Sequence, residues 1–228
     1  MKKYLLLLLL LGSWGTSLFA APLSFTSSQY RADATALAGS ATDSNSAVSP
    51  PSALLVSAAA STALSSASSS GATDIGFLGT AIDVTGNMEE ASGVGNAEFN
   101  GRFIAPGGPI LISIQFESQS NISGDGFAEG QLTLSLVSNG IPLPVEIFTV
   151  SGIIERVFNL PAGADSLLDL FLTSTGTATD GTAFNQATAS FNVSVPEAPM
   201  ASIFLTGLAL MLLVQQRWRP VAGKAPGY

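Results

Sequence analysis

The sequence predicts an all-β fold, an antiparallel β-sandwich of jelly-roll-like type, flanked by an N-terminal signal peptide and a C-terminal transmembrane helix. Three observations carry this. From Asp74 onward, apolar and polar residues alternate with a period of two in several separate runs, which is the mark of strands with one buried and one wet face. Turn dipeptides, Asn139-Gly140 and Asp180-Gly181, fall between the runs. No ten-residue stretch of helical periodicity separates them. The chain divides into 1–20, a signal peptide; 21–73, rich in Ser and Ala; 74–195, the sandwich; and 196–228, a membrane-directed tail.

In residues 1–20, Lys2 and Lys3 form a positive start, Leu5 to Leu11 an apolar run, and Ser17-Leu18-Phe19-Ala20 leads to a small residue. That order is a secretory signal, with cleavage placed between Ala20 and Ala21. Pro22 argues against cutting one bond later. The apolar run is too short for an uncleaved anchor. No Cys follows it, which excludes a lipid-modified N-terminus. The expectation is export through the Sec machinery.

Residues 21–73 are built largely from Ser, Ala and Thr, as in the run from Ser57 to Ser70. Ala favours helix, and Ser49-Pro50 fits a cap and first turn. The Ser content and small volumes equally suit narrow strands within the sandwich or a stalk. Both readings stand at this stage.

The body from 74 to 195 reads as strands. Ala97, Phe99, Gly101 and Phe103 alternate with Glu98, Asn100, Arg102 and Ile104; Ile110, Ile112, Ile114 and Phe116 alternate with Leu111, Ser113, Gln115 and Glu117. Leu132, Leu134 and Leu136 form a third set, and Ala189, Phe191, Val193 and Val195 a fourth. Asn139-Gly140 is placed to join strands near 131–137 and 143–150, and Asp180-Gly181 to join 167–177 and 183–195.

Composition restricts the chemistry. With no His and no Cys, a Ser-His-Asp triad, a Cys nucleophile, a thiolate or imidazole metal site and a disulfide framework are all excluded. Between Ala21 and Pro196 stand three bases, Arg31, Arg102 and Arg156, against fifteen acids, a net charge of −12. A nucleic-acid surface needs clustered Lys and Arg, so the charge argues against nucleic acid as a partner, and likewise against adhesion to anionic lipid. Both Trp lie in the ends and the Phe sit mostly at inward-alternating positions, so a stacking carbohydrate module is disfavoured. No P-loop, Gly-x-Gly-x-x-Gly or Gly-x-Ser-x-Gly motif occurs. Asp83, Asn87, Glu89 and Glu90 fall in one segment, while Asp125 and Asp180 neighbour glycines. Such acids suit solvated turns, and calcium held by them, with sugar or protein bound through it, stays an alternative. The expectation is a protein without catalytic residues and without a required cofactor.

At the C-terminus, Met200 to Val214 carries no charge and is followed by Arg217, Trp218 and Arg219. Fifteen residues give roughly 22 Å of helix against ~30 Å of hydrocarbon, a gap that Pro199, a snorkelling Arg217 and an interfacial Trp218 help to close. A buried helix of the globular domain would want a polar face, and this segment has only Ser202 and Thr206 to offer. Arg217 and Arg219 form a basic stop on the cytoplasmic side, which places the preceding chain outside. Just before the helix stands Val195-Pro196-Glu197-Ala198-Pro199. Pro196 biases Val195 to an extended conformation, and Pro199 hinders helix growth upstream, so an exposed, non-helical strip is expected there.

This motif, apolar helix and Arg cluster, in that order, resemble the PEP-CTERM sorting signal of Gram-negative bacteria over about thirty residues. Ala198 occupies the place of the usual second proline, with Pro199 displaced by one. The resemblance implies that an exosortase, a membrane-embedded cysteine transpeptidase, recognises Val195, Pro196, Glu197 and Pro199, cuts nearby and removes the helix. It also implies a transient stay in the inner membrane, then display at the cell surface or release, in bacteria that make exopolysaccharide and biofilm. Matrix polysaccharide is the partner it suggests. The alternatives are a calcium-dependent binding module and a simple single-pass anchor without processing.

Overall fold

A computed structural model describes residues 20–50 and 53–196. Every regular element among them is a strand: β1 (Ala20–Pro22), β2 (Ser27–Ala38), β3 (Ala41–Ser49), β4 (Leu54–Ser61), β5 (Ser65–Asp74), β6 (Phe77–Ile104), β7 (Gly108–Ser138), β8 (Ile141–Pro142), β9 (Glu146–Phe148), β10 (Gly152–Leu160) and β11 (Asp165–Pro196). Contacts divide the chain into a body, Pro22–Val195, and the ends, Met1–Ala21 with Pro196–Tyr228.

Strands β6, β7 and β11, of 28, 31 and 32 residues, form the spine. Ordinary strands have about five or six residues; these are long because each serves in two sheets. The antiparallel order is β10-β7-β11-β6-β2-β3, with β5 on β6 and β4 on β5, and with β8 and β9 on β7. Along β6, residues 77–86 pair with β5 and residues 91–102 pair with β2. The first halves of β6 and β7 with the second half of β11 make one half-sheet, extended by β5, β4 and β10; the second halves of β6 and β7 with the first half of β11 make the other, extended by β2, β3, β8 and β9.

The change of partner falls on a row of glycines. Gly181 lies opposite Gly86 on one side and Gly124 on the other. A Cβ at Gly86 would stand 2.4 Å from the Ala178 carbonyl oxygen, one at Gly124 2.1 Å from that of Asp180, and one at Gly181 2.0 Å from that of Ser123. No side chain fits in these approaches, and glycine alone permits them. The register slips here between Ala178 and Asp180, so the inward set of β11 changes from even (Leu168, Leu170, Leu172, Ala178) to odd (Ala183, Ala187, Ala189). In β6, with Met88 at a φ of 59°, it changes from Leu78, Ile82 and Val84 to Ala91, Ala97, Phe99 and Phe103. Such bulges bend a strand and raise its twist.

The two half-sheets consequently face each other, giving a sandwich-like body. Thr80 and Ser174 meet across the interior with their hydroxyl oxygens 2.7 Å apart, and the Ser69 hydroxyl donates to the Thr35 carbonyl at 2.8 Å. Between them lie two cores. One is built from large residues, among them Phe103, Phe116, Ile112, Leu134, Leu136 and Leu170. The other is built mainly from alanine, including Ala32, Ala34, Ala36, Ala58, Ala67 and Ala91, with Val56, Ile82 and Val84.

Several sequence expectations change in this light. Asp180-Gly181 is not a hairpin between two strands; it is the bulge inside the single strand β11. Gly124-Asp125-Gly126 lies within β7, opposite that bulge, rather than in a turn. The strand placed at 143–150 shrinks to Glu146–Phe148, while Asn139-Gly140 does form the turn before it, with φ of 50° and 76°. The Ser/Ala-rich segment holds β2 to β5, and Ser49 ends a strand rather than capping a helix. Its alanines alternate inward against Arg31, Asp33, Thr35 and Leu37, so its period is two, written in small residues.

Candidate functional site

The sequence-predicted sorting residues bear on where the body begins and stops. Ala20 and Ala21 lie in β1, Val195 is half-buried near the end of β11, and Pro196 is its last residue. Glu197, Pro199, Arg217, Arg219 and the 200–214 helix lie outside the described residues. Among the described residues no helix is long and apolar enough to cross a membrane. The Leu23 N–H donates to the Val193 carbonyl at 2.9 Å, so the body's first and last strand segments meet side by side.

The carboxylates that neighbour one another in sequence are dispersed by the fold. Alternation along β6 turns Asp83 to the outer surface, while Glu89 reaches over Gly39 and accepts hydrogen bonds from the Thr62 and Ser65 hydroxyls. Among the described residues no three Asp or Glu side chains gather as a cation site. A different pair is brought together by pairing of β6 with β11: Asp169, opposite Asn100, stands one step from Glu98, opposite Phe171. The Asp169 Oδ1 atom is buried without a hydrogen-bond partner. Burial, with the charge of Glu98 adding to it, pushes the Asp169 carboxyl up to about 6. Glu98 itself accepts a 2.6 Å hydrogen bond from the Asn100 amide. On the same face, Arg102 pairs with Asp165 and lowers its carboxyl below the usual range, mainly through the hydrogen bond.

A polar surface held by hydrogen bonds lies on the outer face of the half-sheet that contains the first halves of β6 and β7. A hollow of about 390 Å³ there is lined by Glu117, Ser118, Gln119, Ser151, Gln186 and Thr188. Register puts Gln186 beside Gln119 and Thr188 beside Glu117 on adjacent strands. Glu117 is held by a 2.8 Å bond from the Gln115 amide. Ser151 accepts from the Ser118 N–H at 2.8 Å and donates to its carbonyl at 3.2 Å, which pins the rim. Beneath the floor, the buried Asn185 amide donates to Ser118 Oγ at 3.0 Å, to Ser120 Oγ at 2.8 Å and to the Gln119 carbonyl at 3.3 Å, while its carbonyl accepts from Ser174 at 2.5 Å. Satisfied buried networks of this kind hold a surface in one geometry.

A second hollow, of about 330 Å³, follows on the same face, lined by Ser57, Ser70, Ala81, Asp83 and Phe184 among others. The two adjoin, since Gln186 lies opposite Ala81, and Ala81 opposite Ser70, which lies opposite Ser57.

No protein-family model matches the chain, and no curated protein matches it. Four solved chains do. One is the structure of TmCBM61 in complex with beta-1,4-galactotriose, at 11% identity and a TM-score of 0.24, the match covering 57% of this chain and 88% of that one.

Sequence reasoning missed the outer hollows. It placed the Phe mostly at inward positions, and Phe184 is outward because the β11 bulge reverses parity just before it. The reversal is visible in the sequence as the change from Leu168, Leu170 and Leu172 to Ala187, Ala189 and Val193.

Proposed function

We propose that this chain is an exported protein of the bacterial cell surface or extracellular matrix. It displays a non-catalytic, jelly-roll-like sandwich, and its last thirty or so residues serve as an exosortase-directed sorting signal. The observation that supports this reading is the ordered set Val195-Pro196-Glu197-Ala198-Pro199, then fifteen uncharged residues, then Arg217 and Arg219, in a chain that starts with a signal-like segment. In keeping with it, the motif begins in the last two residues of β11, Val195 and Pro196, and Leu23 and Val193 bring the body's two ends to one place. The body needs no disulfide for this, having no Cys.

Intact mass of the exported form is the test. The expected species starts at Ala21 and lacks the 200–214 helix. An exported form that retains Tyr228 overturns the sorting step and leaves a single-pass anchor. Pro196→Ala with Glu197→Ala should trap the long form in the membrane fraction; unchanged processing of that variant also counts against recognition at the motif.

A further inference from the structure

The two outer hollows carry an assignment of their own. We propose that they form one binding track for an uncharged polysaccharide chain, laid across strands β4, β5, β6, β11 and β7. The proposal deepens the matrix-protein reading and rests on it only for where the ligand is met. Five neighbouring strands at about 4.8 Å spacing give a track of about 19 Å, long enough for several sugar units and longer than a small metabolite needs.

The lining selects the chemistry. Glu117 offers acceptors, Gln119 and Gln186 offer both donors and acceptors, and Thr188 and Ser151 offer hydroxyls. Hydroxyl groups, which donate and accept, match that mixture. Phe184, in the second hollow, adds an apolar surface for a sugar ring. The site is held before the ligand arrives, through Asn185 below and Ser151 at the rim, so little ordering remains to oppose binding.

Other occupants fit less well. A nucleic acid or an anionic polysaccharide meets a body of net charge −12 and, in these hollows, the carboxylates Glu117 and Asp83 with no base. A cation would find a single carboxylate in the first hollow, short of the oxygen set calcium takes. A protein partner would want buried aromatic or Arg anchors, and among the described residues Phe184 is the sole such side chain lining either hollow.

Affinity electrophoresis of the purified full chain tests this, with dextran, hydroxyethyl cellulose or glucomannan cast in the gel and alginate as the charged control. At least one neutral polymer should retard the chain, alginate should not, and EDTA should change nothing. The double variant Gln119→Ala/Gln186→Ala should lose at least tenfold in affinity with an unchanged urea midpoint. Thr133→Ala/Thr175→Ala, on the opposite outer face, should migrate as the parent does. Absence of retardation in all three neutral gels, equal retardation of the double variant, stronger retardation by alginate, or loss of binding in EDTA would each overturn the track. None of these bears on processing at Pro196, which the mass measurement reads separately.

Discussion

The same three strands run through two cores made on opposite principles. In the first, Phe103, Phe116 and Leu134 with their neighbours fill a wide interior, and stability follows from apolar area withdrawn from water. In the second, alanines and glycines let the backbones themselves approach. A Cβ on Gly71 would stand 2.1 Å from the Asn96 carbonyl oxygen, and one on Gly95 2.3 Å from that of Ser70. Such a core gains little per residue by burial, since Ala has little area to hide. It gains instead from dense contact and from a side chain that surrenders almost no rotamer freedom. The wide core should therefore resent losing volume, and the narrow one should resent receiving it.

The largest expected effect is in the wide core. Phe116→Ala, at a fully buried site, should cost about 3–5 kcal/mol in urea unfolding. A loss below about 1 kcal/mol would mean that this interior is loosely packed. Next comes Gly95→Ala. At an ordinary strand position this change gains about 0.5–1 kcal/mol; here the clash with backbone should reverse the sign and cost about 2–3 kcal/mol. Gly152, with nothing within 4 Å of its would-be Cβ, is the control, and Gly152→Ala should be neutral or gain up to about 0.5 kcal/mol. If both glycine variants behave alike, the narrow core is not close-packed.

Between the cores runs the polar seam Thr80–Ser174–Asn185–Ser118. Asn185→Ala removes the buried amide that ties Ser174 to Ser118 and Ser120 and should cost about 1–2 kcal/mol.

A smaller effect, and one that depends on pH, concerns the carboxylates beside each core. Near the narrow core, hydroxyls of Thr62 and Ser65 satisfy Glu89. Over the wide core, Asp169 has an oxygen without a partner, and its carboxyl is pushed up to about 6. In the unfolded chain it titrates near ~3.9. Between those values the folded state holds more protons, so this group's contribution falls as pH rises from about 4 to 6 and stays low above that. After allowance for partial solvent screening, Asp169→Asn should gain about 1 kcal/mol at pH 7 and almost nothing at pH 4. Equal gains at both values would rule out titration as the cause.

Sequence conveys the wide core readily, since Ile110 to Phe116 and Leu132 to Leu136 contrast sharply with what alternates between them. It conveys the narrow one poorly, because Ala against Ser gives almost no contrast in hydropathy, although Ala32 to Ala38 keep the same period. Asp180-Gly181 is ambiguous for a physical reason: the backbone freedom that closes a hairpin also makes a bulge, and only pairing with Gly86 and Gly124 decides between them. The track is further from view. Gln119 and Gln186 become neighbours through a register between distant strands, which no local pattern encodes.

The glycine row carries one more consequence. In an ordinary sandwich, loops link the two sheets and offer a protease its point of entry. Here three continuous strands turn that corner, and only the few residues of the bulge go unpaired, so the junction offers far less slack backbone to an enzyme's cleft than a loop would. In a chain without a single cross-linking cysteine, this shared wiring ties the two layers together in place of a covalent link.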